Sequence, residues 1–284
     1  MNKEKIAILA DSASDVPKEF VEKYNIYLAP LNIVYEDGEY VDGVDITAEE
    51  FFAHLPEEIP KTSLPSISTI QQVFDQIKKD GYKKVLAVAI SSNLSGTYNA
   101  IKMVAEQEKD LESYVVDSKS VSFASGFNAI QAAKYIREGM TWEKLIQKVS
   151  EDVENTKVFY YVPTLEYMQK GGRIGRVASI IGSRLNIKPI ISFNDEGITY
   201  AVAKVRGEKR SISKTLDFAI NYIGDSENYN IAIVHADAKE KAEALRKKLT
   251  KRLPNANIFD GGQISPILGV HVGPGGLGVI VQKL

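Results

Sequence analysis

The sequence predicts an α/β fold in two lobes: a mostly parallel sheet covered by helices, followed by a second α/β lobe. Short apolar runs alternate with segments of helical periodicity in the first half of the chain, which is typical of strands joined by crossover helices. The pattern changes near residue 160, where glycines begin to interrupt a basic region. The length of 284 residues suits one large or two modest domains. We therefore expect an N-terminal lobe over residues 1–160 and a C-terminal lobe over residues 161–284.

The N-terminal lobe is predicted to open on a buried strand at residues 6–10, followed by a helix with Pro17 in its first turn. The alternation that follows places most strands in parallel, with helices on both faces of the sheet. Further strands are predicted at residues 27–35, 85–90 and 114–116. Helices are predicted at residues 17–24, 48–54, 69–79, 97–107, 123–137 and 142–153.

The C-terminal lobe is predicted to contain a hairpin. Its strands, at residues 188–193 and 200–205, flank the turn Asp195-Glu196-Gly197. The other predicted elements of this lobe are strands at residues 158–162 and 231–235 and helices at residues 209–222 and 239–251.

The uncharged stretch at residues 261–282 has the length of a membrane span. It contains seven glycines and two prolines, which make a poor helix in lipid, where the backbone must satisfy its own hydrogen bonds. We predict buried strands and tight loops there, and a cytoplasmic protein without an integral membrane segment.

Composition excludes several classes of function. Lys plus Arg number 35 against 37 Asp plus Glu, for a net charge of -2, which argues against broad nucleic-acid binding. The chain has no cysteine, so thiolate nucleophiles, disulfides and cysteine-ligated metals are excluded. Its three histidines are scattered, and we expect neither a metal site nor a cofactor.

The first candidate motif is Asp11-Ser12-Ala13-Ser14-Asp15, directly after the first predicted strand. Ligands of open α/β sheets tend to bind beyond the carboxyl ends of the strands. Ser12 and Asp15 also have the spacing of a helix capping box, which would account for the motif without any ligand.

The second candidate is the hydroxyl pair Thr62 and Ser63. Pro65 favours extended geometry before it, so the pair is predicted in a loop ahead of the next helix. Ser68 and Gln71 have capping-box spacing for that helix, which leaves Thr62 and Ser63 without a capping role. The pair is either a ligand contact or an ordinary solvated loop.

The third candidate is Ser95, which follows a predicted strand and precedes a predicted helix. Free backbone N–H groups and the helix dipole favour an anion at such a position. A carboxylate or a phosphate could be held there without lysine or arginine. Ser95 as a plain N-cap is the alternative, and the two roles are compatible.

The fourth candidate is His271, in an almost wholly apolar stretch. A buried histidine needs a hydrogen-bond partner, so it is either a satisfied core residue or a donor to the acid group of a ligand. The nearby Gly273, Gly275 and Gly278 formally match a dinucleotide fingerprint. No helix, second strand and acidic residue follow them as that site requires, so we reject the match.

The fifth candidate is a basic run that includes Arg173 and Arg206. Solvated helix faces commonly explain such charges, and a docking site for an acidic partner or for phosphates is the alternative. The run comprises Lys170, Arg173, Arg176, Arg184 and Lys188, and later Lys204, Arg206, Lys209 and Arg210.

Together these motifs resemble the DegV family, lipid-binding proteins that include the fatty-acid-binding subunit of bacterial fatty-acid kinase. The landmarks occur in the family's order as one unit over about residues 4–282, and the ordered set is specific although no single landmark is. They are Asp11-Ser12, Thr62-Ser63 with Pro65, Leu94-Ser95-Gly96-Thr97-Tyr98, Gly172-Arg173-Ile174, Lys204-Val205-Arg206 with Lys209-Arg210, and His271 ahead of Gly275-Gly276-Leu277-Gly278.

The resemblance implies a non-catalytic bacterial protein that binds a long-chain fatty acid, such as palmitate or oleate, in an apolar tunnel. Its role would lie in lipid transport or fatty-acid metabolism. The residues implied as carboxylate contacts are Thr62, Ser95, His271 and the Gly96 backbone, with Ser63 and Ser12 as supporting candidates.

The resemblance also implies a partner protein, a fatty-acid kinase subunit that delivers ATP and phosphorylates the bound acid to an acyl phosphate. Arg173 and Arg206 match positions where a basic docking surface for that partner is expected. The chemistry would then belong to the partner, and this chain would present the substrate.

Two other functions stay open from the residues alone. A serine hydrolase would use Ser95 or Ser12 with His271 and an aspartate, although no G-x-S-x-G pattern occurs. A phosphate or nucleotide binder would use the helix N-terminus after Ser95. Ester turnover that Ser95→Ala abolishes would favour the first, and thermal protection by nucleotides the second.

Overall fold

The computed structural model describes residues 2–180 and 187–284, whose strands form three sheets. It confirms the predicted α/β class with a parallel sheet covered by helices. The strands are β1 (Ile6–Asp11), β2 (Ile26–Ala29), β3 (Asn32–Val34), β4 (Glu39–Val41), β5 (Lys61–Ser63), β6 (Lys84–Ala89), β7 (Glu112–Asp117), β8 (Thr156–Tyr161), β9 (Ile187–Phe193), β10 (Thr199–Arg206), β11 (Tyr229–His235), β12 (Asn257–Gln263) and β13 (Leu277–Lys283). The helices are α1 (Lys18–Tyr24), α2 (Ala48–His54), α3 (Ile67–Lys79), α4 (Thr97–Gln107), α5 (Phe123–Arg137), α6 (Trp142–Glu154), α7 (Glu166–Lys170), α8 (Glu208–Ile223), α9 (Lys239–Arg252) and α10 (Pro266–Val272).

The first sheet is parallel throughout, in the order β2-β1-β6-β7. Every residue of β1 is buried, because helices cover both faces of the sheet. Ile6 and Ile8 belong to the core that α5 shares, whereas Ala7 and Leu9 pack with residues of α3 and α4. This alternation follows from the two-residue period of a strand.

The predicted strand at residues 27–35 is wrong as a single strand. β2 pairs in the parallel sheet, and β3 pairs antiparallel with β4 and β5 in a separate three-stranded sheet. Pro30 lies between β2 and β3, and a proline has no N–H to continue a ladder. Thr62 and Ser63 were predicted in a loop, but they lie in β5, where Thr62 is opposite Ile33.

The third sheet has six strands in the order β10-β9-β8-β13-β11-β12. β13 lies between β8 and β11 and is antiparallel to both, while β12 is parallel to β11. The predicted hairpin is confirmed as β9 and β10, with the turn at residues 195–197 between them. Residues of α8 and α9 form the apolar core on one face of this sheet.

The glycine-rich stretch at residues 261–282 is only partly as predicted. β12 ends in it and β13 begins in it, but α10 lies between them. Pro266 at the first helical position suits a helix start, and Gly269 lets α10 approach the rings of Phe51 and Phe52 closely. Over residues 2–180 and 187–284, no helix has the length and apolarity needed to cross a membrane.

α5 lies between the two large sheets and contacts β1 and β6 on one side and β8 and β13 on the other. One apolar cluster therefore contains residues of both sheets. The boundary we proposed at residue 160 falls inside β8, which pairs only with strands of the six-stranded sheet. Sheet membership would place a division into residues 1–160 and 161–284 slightly earlier, between α6 and β8. The division remains a proposal.

Candidate functional site

A cavity of about 270 Å³ lies between the six-stranded sheet, α10 and the loops after β1 and β6. Its walls are mainly apolar. Val158 and Tyr160 of β8 face it on alternate positions, while Phe159 between them packs into the core behind the sheet. Further apolar side chains of the wall are Phe193, Val234, Ile264, Ile267, Leu268 and Leu277.

Polar groups from three distant segments meet at this same cavity. Thr62, Ser95, Gly96 and His271 all line it, as does Ser63. The Thr62 Oγ1 atom lies 3.0 Å from His271 Nε2, across a sequence separation of 209 residues. The structure therefore brings together five of the six residues that the resemblance implies as head-group contacts, and Ser12 is the exception.

Strand pairing directs Thr62 inward. Ile33 is fully buried, and residues directly opposite each other in an antiparallel pair project from the same face of the sheet. Thr62 therefore points to the interior side of the small sheet.

The next helix begins at Ile67 with Ser66 as its N-cap, two residues before the predicted start, so the predicted Ser68–Gln71 capping box is wrong. The Ser63 hydroxyl donates to the Leu64 carbonyl at 3.3 Å.

Ser95 acts as a cap and also lines the cavity. α4 begins at Thr97, and the Ser95 Oγ accepts a hydrogen bond from the Thr97 N–H at 3.3 Å. The Ser95 and Thr97 hydroxyls are 2.8 Å apart. The Gly96 N–H makes no backbone hydrogen bond to the described residues, which leaves a free donor at the helix N-terminus beside the cavity.

His271 lies in the last turn of α10, not in a strand or loop as predicted. Burial, assisted by the nearby positive charge of Arg173, lowers its pKa to about 4, so the imidazole is neutral at neutral pH. The Nδ1 atom is buried without a partner among the residues described. It packs against Gly171, where any Cβ atom would overlap the ring.

Arg173 also lines the cavity, which the sequence did not predict. Its Nε donates to the Leu94 carbonyl at 3.2 Å and its Nη1 donates to the Gly171 carbonyl at 2.8 Å. Both acceptors are neutral, so these bonds hold the guanidinium without cancelling its charge. Arg173 therefore contributes a positive potential at the polar wall of the cavity, which Thr62, Ser95 and His271 form.

Arg206 lies far from Arg173. The Arg173 carbonyl accepts a bond from the Thr199 hydroxyl at the start of β10, whereas Arg206 ends that strand. Seven strand residues span roughly 23 Å, so the two arginines do not form one compact patch. Arg206 lines a separate surface groove with Lys204, Arg210 and Lys214.

Arg176 and Arg184 also belong to the predicted basic run. Arg176 pairs with Glu196 at 2.7 Å, which explains its charge structurally. Arg184 lies outside the described residues.

The predicted capping box at Ser12 and Asp15 is wrong. The Ser12 Oγ accepts from the Leu31 N–H at 3.1 Å, and Ser12 is not among the residues that line the cavity. Asp15 accepts from the Ser265 N–H at 3.0 Å and from the Ser122 hydroxyl at 2.6 Å. These bonds cross the fold, so no local spacing rule could have identified them.

Within the described residues, no serine–histidine–carboxylate arrangement occurs at the cavity. His271 bonds to Thr62, and the Ser95 hydroxyl bonds to Thr97. A triad needs the histidine between the nucleophile and an orienting acid, which this geometry does not provide. The same part of the chain shows no cluster of three or more histidine and acidic side chains arranged to hold a metal ion.

Comparison with known proteins gives consistent matches along the chain. A family model described as an uncharacterised protein of the DegV family matches residues 5–284. A DegV domain-containing protein of Clostridium acetobutylicum is 40% identical over 280 residues, which is 99% of each chain.

Solved structures match over the full length as well. DegV of Bacillus subtilis, described as a fatty acid binding protein, superposes with a TM-score of 0.90 at 26% identity and covers 100% of both chains. A stearic acid-binding protein of Eubacterium ventriosum superposes with a TM-score of 0.89 at 27% identity over 98% of both chains.

Proposed function

The chain belongs to the DegV family, and from this premise we propose that it binds a long-chain fatty acid in the apolar cavity. The observation that carries the proposal is an apolar cavity that ends in neutral hydrogen-bond donors, with Thr62, Ser95 and His271 at one wall. Two structures of similar fold are described as binding fatty acids, which supports the same ligand class here.

The tail supplies most of the affinity. Each methylene that leaves water contributes roughly 0.8 kcal/mol, so a chain of about fifteen contributes on the order of 12 kcal/mol before the entropic cost of binding. The apolar wall formed by Val158, Phe193 and Leu268 suits such a tail. Palmitate and oleate are the ligands we propose.

The head group is held by donors whose own bonds leave a proton free. We assign neutral His271 the tautomer that donates from Nε2 to Thr62 Oγ1, because the buried Nδ1 has no partner among the residues described; the Thr62 hydroxyl proton can then point to the carboxylate. In the same assignment the Thr97 hydroxyl donates to Ser95 Oγ, which frees the Ser95 hydroxyl proton. The Gly96 N–H completes the set. Burial keeps His271 neutral, and the nearby charge of Arg173, which assists it, also favours an anion there.

We also propose that a partner kinase acts on the bound acid and that this chain is not itself an enzyme. A carboxylate oxygen held by neutral donors stays nucleophilic and can attack the γ-phosphorus of ATP on the partner, which gives an acyl phosphate and ADP. Arg173 at the cavity and Arg206 on the distant groove are the proposed docking residues. Lipid transport needs the same binding site without this step.

The ligand is tested by extraction and by substitution. Mass spectrometry of an organic extract of the purified protein should detect a long-chain fatty acid. Thr62→Val and Ser95→Ala should each weaken palmitate binding about ten- to a hundredfold, because each loses a hydrogen bond to a charged group. Thr250→Val and Ser179→Ala are matched controls, since their hydroxyls bond to carbonyls of their own segments. An extract without lipid, together with no thermal stabilisation by palmitate or oleate, would overturn the proposal.

A further inference from the structure

Three aspartates, Asp11, Asp15 and Asp42, lie in or close to the segments that meet the N-terminus of α10; Asp11 and Asp42 are buried, Asp15 is partly buried, and none forms a salt bridge to a described residue. Asp11 and Asp42 are 0% and 3% exposed. Burial is the main cause that raises the pKa of Asp11 and Asp15 to about 7 and that of Asp42 to about 6. In the described part of the chain, the titratable groups that face these carboxylates are one another.

Two of these carboxylates cap α10 from distant parts of the chain. Asp15 Oδ1 accepts from the Ser265 N–H at 3.0 Å, and Asp42 Oδ1 accepts from the Ile267 N–H at 3.2 Å. Pro266 has no N–H, and the Ser265 side chain makes no capping bond to its own helix. The first donors of α10 are therefore satisfied by residues 250 and 225 positions away.

α10 in turn carries one wall of the cavity. Ile267 and His271 are one helical turn apart, and both line the cavity. A helix of 7 residues has too few internal hydrogen bonds to be stable by itself. Loss of its cap would let α10 shift or fray, and the contact of His271 with Thr62 would be lost with it.

We propose that Asp15 and Asp42 are positioning residues of the head-group site, which fix α10 so that His271 and Thr62 meet the carboxylate of a bound fatty acid. The inference rests on the proposed function. The two aspartates contact no ligand and act through the helix. Asp42 Oδ2 and Asp11 Oδ1 have no hydrogen-bond partner among the residues described. A neutral capping side chain would satisfy the same N–H donors without burying an unpaired carboxylate oxygen. Capping alone therefore does not explain why these buried positions are aspartates.

The test compares two ligands with the same tail, palmitate and its long-chain alcohol. Asp42→Ala should weaken palmitate binding about five- to thirtyfold, as expected for the loss of a helix cap. The affinity for the alcohol should fall much less, because most of the apolar wall, including Val158, Phe193 and Val234, lies on the six-stranded sheet and not on α10. Asp42→Asn keeps an oxygen that can accept from the Ile267 N–H, so it should restore palmitate binding.

Asp45→Ala is the matched control. Asp45 accepts the Val41 N–H at 2.9 Å in the same loop and makes no described hydrogen bond to α10. The imidazole NMR signals of His271, one of three histidines, should move in Asp42→Ala and stay in place in Asp42→Asn and Asp45→Ala. Should Asp42→Ala not fold, Asp15→Ala removes the acceptor of the Ser265 N–H and serves the same comparison.

Equal weakening of acid and alcohol would overturn the inference, since it would mean that Asp42 supports the whole cavity. Unchanged palmitate binding in Asp42→Ala would overturn it as well, because α10 would not need this cap. If the unmodified protein binds neither palmitate nor the alcohol, the proposed function itself fails. That result is distinguishable from the two outcomes above, in which the unmodified protein binds palmitate.

Discussion

Burial shifts the pKa values of His271 and Asp11 in opposite directions. It lowers the pKa of His271 to about 4 and raises the pKa of Asp11 to about 7. In both cases the charged form is disfavoured because it loses hydration. Near neutral pH the cavity therefore presents a neutral imidazole, and the charge near it comes from Arg173. A carboxylate in this place meets donors that need not change protonation state.

Asp11→Asn tests the effect of this burial on stability. Because the folded pKa of Asp11, about 7, lies above its ordinary value of 3.8, the stability it contributes is complete below pH 3.8 and is lost as pH rises through 7. The variant should therefore gain free energy of unfolding relative to the unmodified protein between pH 5 and pH 8, as measured by urea denaturation.

Asp195→Asn is the control for this experiment. Lys157 beside Asp195 lowers the pKa of that exposed carboxyl below 3.8, so it stays ionised over the same pH range. Its substitution should change the free energy of unfolding by the same amount at pH 5 and at pH 8. If the free energies of unfolding of Asp11→Asn and the unmodified protein differ by the same amount at pH 5 and at pH 8, the raised pKa of Asp11 is contradicted.

At the scale of elements, the contact between α7 and α10 determines where His271 lies. Gly171 follows α7 with φ -76, a conformation that alanine adopts without strain. A Cβ atom there would nevertheless overlap the His271 ring. The glycine is required by the close approach of the two helices and not by its own backbone.

Gly171→Ala should therefore displace His271 and weaken palmitate binding about tenfold, as an overpacked contact commonly costs 1–3 kcal/mol. Titration calorimetry would measure the affinity, and imidazole NMR signals would report the displacement. Gly38→Ala is the control, because the nearest atom to a Cβ there is 3.9 Å away. Unchanged binding and unchanged His271 signals in Gly171→Ala would contradict this prediction, because they would mean that the added methyl group is accommodated without displacing the ring.

At the scale of the whole molecule, α5 joins the two large sheets, and the cavity lies where their loops meet α10. The net charge of -2 hides a local basic groove that contains Arg206, Lys204, Arg210 and Lys214. This groove and Arg173 lie at opposite ends of β10. A partner that used both would have to span the length of that strand.

Arg206→Glu should therefore reduce acyl phosphate formation by a partner kinase while the lipid content of the protein stays unchanged. Charge reversal on the groove opposes docking, and the cavity is too distant to be affected. The two readouts are kinase turnover with the loaded protein and mass spectrometry of its lipid. Lys83→Glu, at an exposed position directly before β6, is the control. Equal effects of both variants, or loss of lipid in Arg206→Glu, would contradict a docking role.

Local patterns in the sequence predicted many elements well. The bounds of α2, α4 and α5 agree with the predicted helices, because apolar spacing and turn residues act within a few positions of one another. The same rules did not identify α10, whose start is capped by Asp15 and Asp42 from elsewhere in the fold. They also gave capping boxes at Ser12 and Ser68 that the structure does not form.

The sequence by itself determined the α/β class, the positions of most of the long helices and the residue types that suit an anion beside an apolar cavity. Only the tertiary structure decided that Thr62 meets His271, that Gly171 and Arg173 flank the ring, and that Arg206 lies far away. Periodicity and capping depend on neighbours along the chain, whereas the site is made by contacts across as many as 209 residues. Such contacts exist only once both sheets have packed around α5.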